Sequence, residues 1–167
     1  MEITLIFVTS VSISLIVWYM IMKTYFFPRV KEFELKKALQ PILFLHSFRF
    51  VGLAFLMPGV VGTDLNPAWA LPAAYGDLTV AILAVVAISL RNHSSFRFFV
   101  WVFNILGILD LLVGSVLGPI YDIIPSLHAA YFPLIIYVPL LYVTHFSVFN
   151  MLLKNQAVNR VVQTVAA

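Results

Sequence analysis

Five long apolar stretches fill most of this chain, at about residues 3–22, 41–61, 68–90, 96–117 and 127–153. Each has about 20 residues or more, and a helix of that length crosses the roughly 30 Å of hydrocarbon in a bilayer. Inside lipid, backbone polar groups must be satisfied within the segment, so such stretches become helices. The expected fold is all-α: an integral membrane bundle of five transmembrane helices. Residues 1–154 form a single domain, and 155–167 form a short, loosely ordered cytoplasmic tail. Charge content agrees. Only 10% of residues are charged, 62% are hydrophobic, and the mean hydropathy is +1.02. A soluble domain carries about a quarter charged residues, so this chain needs lipid as solvent.

The first stretch is preceded by Glu2 rather than a basic segment and is followed by Lys23 to Phe27 rather than small residues. It reads as a retained helix, not a cleaved signal. The breaks between stretches carry turn chemistry: Pro58-Gly59, Asn66-Pro67, Arg91 to Ser95, and Gly118-Pro119 through Pro125-Ser126. There is no internal repeat, and five spans do not divide into two inverted halves.

The basic residues set the direction. Lys23, Arg29, Lys31, Lys36, Lys37, Arg91, Arg97, Lys154 and Arg160 all fall on one side of the five-span arrangement. The other side holds Glu2, Asp64 and Asp122 and no lysine or arginine. By the positive-inside rule the basic side is cytoplasmic and the N-terminus lies outside. Aromatic residues mark the two boundaries: Trp18, Tyr19, Phe96 and Trp101 on one, Trp69, Tyr121 and Tyr131 on the other. Residues 29–39 alternate charge and apolar character, as either a surface helix or a solvated loop would.

Three charges lie within spans. Arg49 is nine residues in from Gln40, Asp77 thirteen from Leu90 and Asp110 fourteen from Phe96, giving depths of about 13, 20 and 21 Å. Charges at such depth cost about 3 kcal/mol each on insertion scales, so they turn to the bundle interior and find partners. One arginine does not neutralise two carboxylates. Either one aspartate keeps its proton, or a proton or cation occupies the site. Three readings follow: a structural ion pair joining spans two, three and four, a proton or ion site, or a pocket for a small polar ligand.

Gly107, Gly114 and Gly118 share a stripe with Asp110, at spacings of three and four, where a neighbouring helix can pack closely. His46 and His145 lie at one depth, about 9 Å from the basic edge, on different helices. They are candidate ligands for a b-type haem held from opposite faces, or for half of a metal site. Alternatively they bond to water or backbone. His93 and His128 have no partner at their depth. Pro133 and Pro139 each remove a donor from span five and should kink it. Tyr131, Tyr137 and Tyr142 on the same span either line a cavity or pack.

The chain has no cysteine, which removes disulfides, thiolate ligands and thiol nucleophiles. It has no nucleotide-binding loop and no nucleophile–base pair. His46-Ser-Phe-Arg49, Pro72-Ala-Ala-Tyr-Gly-Asp77 and the run from Asn104 to Asp110 resemble a group of small, functionally uncharacterised bacterial inner-membrane proteins. The resemblance implies a bacterial plasma membrane and groups His46, Arg49, Gly76 and Asp77 in one motif. It implies no activity.

The leading expectation is a non-enzymatic membrane protein that binds or passes a proton, ion or small polar ligand at Arg49, Asp77 and Asp110. The alternatives are a haem-carrying redox protein and an accessory subunit of a larger membrane complex. A lipid-acting enzyme ranks last. The expected partners are the bilayer and a homo-oligomer or larger complex, and not nucleic acid.

Overall fold

The computed structural model describes residues 2–30 and 33–165, with side chains described as far as Asn155. Among the described residues five helices are long and apolar enough to cross a membrane. They are α1 (Glu2–Val30), α2 (Leu35–Leu56), α3 (Pro67–Ser89), α4 (Phe96–Ile120) and α5 (Tyr131–Val165). No strand occurs among the described residues.

Alanine decides the centre. On α3, Ala70, Ala74, Ala81, Ala84 and Ala87 are buried, and side chains this small let α2 and α4 pack close on either side. α5 lies across α2 and α4, and α1 rests on α5. The first 20 residues of α1 contain no buried residue, so it is the peripheral helix. It is fastened by Trp18, whose indole N–H donates to the Ile136 carbonyl at 2.8 Å, and by an edge-on contact of Phe7 with Tyr131.

Helix boundaries differ from those expected. α2 starts and ends earlier than the 41–61 stretch, and its second half, Phe48–Leu56, is a 3-10 helix. A 3-10 helix rises about 2.0 Å per residue against about 1.5 Å for an α-helix, so this half is more stretched along its axis than the first. Pro58 then forces Met57 into extended backbone, and Gly59 turns the chain at φ 85°. The loop that follows zips onto the α4–α5 connection through Gly62 N–H to Ser126 O and Ala129 N–H to Val60 O.

The tail expected to be loose continues α5 to Val165, since no glycine or proline follows Pro139. Pro133 does not break α5. It lies in the first turn, where its N–H would have no partner anyway. Pro139 alone sits inside that helix. Of residues 29–39, Lys31 and Glu32 lie outside the described residues. Arg29 and Val30 end α1, Phe33 and Glu34 lie between the helices, and Leu35 to Leu39 start α2.

Several boundary aromatics work inside the bundle instead. Trp69 is buried, and its indole N–H donates to the Gly114 carbonyl at 2.9 Å. Phe96 is also buried, in the core at the basic end.

Candidate functional site

The 3-10 segment presents its residues at a period of three, so Arg49, Gly52 and Phe55 fall on one buried face. Arg49 is fully buried. Its Nε donates to Asp77 Oδ1 on α3 and its Nη2 to Asp110 Oδ2 on α4, both at 2.6 Å. The depths inferred from the chain put the two aspartates at one level, and one guanidinium spans them. Each aspartate side chain keeps about 15% of its surface exposed (15% and 16%), while the arginine keeps none. Together the three groups carry one net negative charge when both carboxylates are ionised.

The third arm of Arg49 settles the state of His145. Nη1 lies 3.1 Å from His145 Nε2, and arginine can only donate, so that nitrogen accepts. His145 is therefore neutral, with its proton on Nδ1, which donates to Asn104 Oδ1 at 2.8 Å. His46 follows the same logic. Thr144 gives its hydroxyl proton to the Leu140 or Leu141 carbonyl, so it accepts from His46 Nε2–H at 2.9 Å. His46 Nδ1 is then a bare acceptor and Asn104 Nδ2 a free donor. Both are buried without a partner.

This geometry does not fit the haem reading. The two imidazole rings lie 4.3 Å apart, centroid to centroid, and tilted, which leaves no room for a porphyrin between them. Three of their four nitrogens already serve Thr144, Arg49 and Asn104. Nor do they form half of a metal site. Among the described residues no group of three or more histidine or acidic side chains is placed to hold a metal ion. The shared depth was real, but it reflects packing around Arg49.

The glycines divide. At Gly107 a Cβ would collide with the His145 ring, at Gly76 with the Asp110 carboxylate and at Gly52 with Asp77. These three glycines make room for the cluster. Gly114 is different and corrects the packing expectation. A Cβ there meets nothing, because the residue faces a cavity. At Gly118 a Cβ would make only ordinary contact with Ile123 and Trp69.

The cavity holds about 370 Å³ and lies between α1, α3, α4 and α5. Asp77 and Asp110 line it, so the carboxylates reach it and the arginine does not. Most of the wall is apolar, including Phe7, Val11, Phe55, Trp69 and Leu134. Tyr142 also lines it, with its hydroxyl on the Leu111 carbonyl at 2.9 Å. Tyr137 instead bonds to the Leu45 carbonyl at 2.7 Å, and Tyr131 packs on Phe7.

Gly52 and Thr144 are members of this cluster that reading the chain did not single out. Only the 3-10 period places Gly52 under Arg49. Thr144 could have been noticed as a polar residue next to His145 in an apolar span.

Beyond the spans, the Asp64 carboxyl is held below the usual carboxylate range. The Ser126 hydroxyl donates to it at 2.8 Å, its own backbone N–H helps, and His128 lies nearby.

No curated protein and no solved structure matches this chain. A family described as a domain of unknown function (DUF8737) matches residues 6–153, helices and polar cluster together, and the chain belongs to that family.

Proposed function

We propose that this is a non-enzymatic, multi-pass protein of a bacterial plasma membrane, with its basic connections in the cytoplasm and its N-terminus outside. It takes up a proton, cation or small polar ligand at the Asp77 and Asp110 carboxylates. The orientation rests on the basic residues at one end and their absence at the other. The observation that carries the function is the asymmetry of the cluster. The arginine is sealed, the acids face a cavity, and the balance is one negative charge. A buried excess charge is costly, so a proton or cation is drawn to it.

The test is the melting temperature of the full chain in lipid nanodiscs, as a function of pH and of sodium and potassium concentration. The wild type is expected to respond to protons or to one of the cations. Asp77→Asn and Asp110→Asn should fold and lose the response. Variants that fold and respond like the wild type would reduce the cluster to a structural ion pair.

A further inference from the structure

The cavity says more about the ligand than the cluster does. Every charged side chain that lines it is acidic: Asp77, Asp110 and Asp122. Among the described residues no lysine, arginine or histidine reaches it. Its hydrogen-bonding groups also lean one way. Tyr142 gives its proton to the Leu111 carbonyl, so Ser115, 2.8 Å away, gives its proton to Tyr142. The lone pairs of Ser115 Oγ are then left as acceptors on the cavity wall. The rest of the wall is aliphatic and aromatic. A volume of about 370 Å³ lies within the usual range for small-molecule sites, roughly 300–1,000 Å³.

The entrance fits the same chemistry. α1 and α4 both line the cavity but are not among the helix pairs that pack on each other. The cavity is therefore bounded on that side by the seam between two apolar helices. On the α1 side the seam carries Val8 and Leu15, which are exposed and line the cavity. A solute dissolved in the bilayer reaches such a seam directly.

We infer that the cavity binds an amphipathic organic cation, an ammonium group on an apolar body, with the ammonium against Asp77 and Asp110 and the body along Trp69, Phe55 and α1. This inference rests on the proposed function above and names the class of its ligand. A small inorganic cation would leave the apolar wall unused. An amphipathic anion would meet three carboxylates and no base. An ammonium donates to carboxylates and to Ser115, and it is attracted by aromatic faces such as Trp69.

The experiment uses the full chain in nanodiscs, with empty nanodiscs as the partition blank and tryptophan emission as the readout. The probes are n-octylamine, n-octanol and octanoate at neutral pH. Octylammonium is expected to perturb the emission saturably, at least about tenfold more tightly than the alcohol or the acid, a difference of about 1.4 kcal/mol. Trp69→Phe should remove most of that signal. Asp77→Asn and Asp110→Asn should each weaken binding by about tenfold or more. Gly114→Phe fills the cavity from a position where a side chain meets nothing, so it should block binding without touching the carboxylates.

Equal affinity for the alcohol and the amine, or octylammonium binding that survives Gly114→Phe, would overturn the inference. So would absence of octylammonium binding in a protein that still shows the proton or metal-cation response. In that case the ion site stands and only the ligand class fails. Loss of both responses removes both readings.

Discussion

The two halves of this bundle are packed differently. At the basic end, Leu39, Leu43, Val80, Ala84, Val100, Phe103 and Leu152 form a core in which no buried member exceeds 2% exposure. At the opposite end, Ala74, Leu127 and Ala130 are as fully buried, but Phe55, Val61, Leu65 and Leu134 keep 7–9%, and the cavity opens beside them. The charged cluster lies at the border. Its base and both imidazoles belong to the filled half, and its acids face the hollow half. A bundle held only by dispersion has no reason to stop packing halfway. Here the change in packing coincides with the residues whose charge does not balance.

The largest expected effect separates the halves outright. Arg49→Met leaves two carboxylates facing each other without a base and should cost about 3–5 kcal/mol in a denaturant titration of the lipid-embedded protein. Adding Asp77→Asn and Asp110→Asn should recover most of that loss, because no unpaired charge then remains. If Arg49→Met alone is as stable as wild type, the cluster does not join the halves.

A glycine pair sharpens the contrast. Gly107→Ala drives a methyl into the His145 ring in the filled half and should destabilise by about 1–3 kcal/mol. Gly114→Ala, two turns along the same helix, projects into the cavity and should change stability by less than about 0.5 kcal/mol. Similar losses at both positions would mean that the hollow half is not hollow. Trp69→Phe tests the wall of the cavity. It removes one hydrogen bond, to the Gly114 carbonyl, and should cost about 1 kcal/mol by the same titration.

The smallest effect lies at the loop end. The folded pKa of Asp64 is below its unfolded value, so its stabilisation is present above the usual carboxylate range and fades as pH falls through the folded value. Ser126→Ala should move the Asp64 titration upward and shrink that acid sensitivity. An NMR titration of the Asp64 carboxyl reads both. No upward movement would show that the Ser126 hydroxyl does not hold it.

The charges of the cluster stand out along the chain because Arg49, Asp77 and Asp110 interrupt apolar stretches, and depth alone puts the two aspartates level. The histidines show where such counting stops. Equal depth makes His46 and His145 neighbours in either reading. Whether they face across a gap or touch depends on the azimuth of two helices, which spacing does not report. The glycine stripe on α4 has the same weakness. Gly107 and Gly114 look equivalent along the chain, yet one lies against an imidazole and the other against empty space.

Hydropathy and length alone decide that there are five helices that can cross a membrane, because a membrane-length apolar run has few other ways to satisfy its backbone. Charge alone marks Arg49, Asp77 and Asp110 as residues in need of partners. The 3-10 winding of Phe48–Leu56, the neutral tautomer of His145 and the cavity emerge only from packing. Winding, tautomer and void each depend on which neighbour occupies a given side of a helix, and no periodicity within one segment encodes its neighbours.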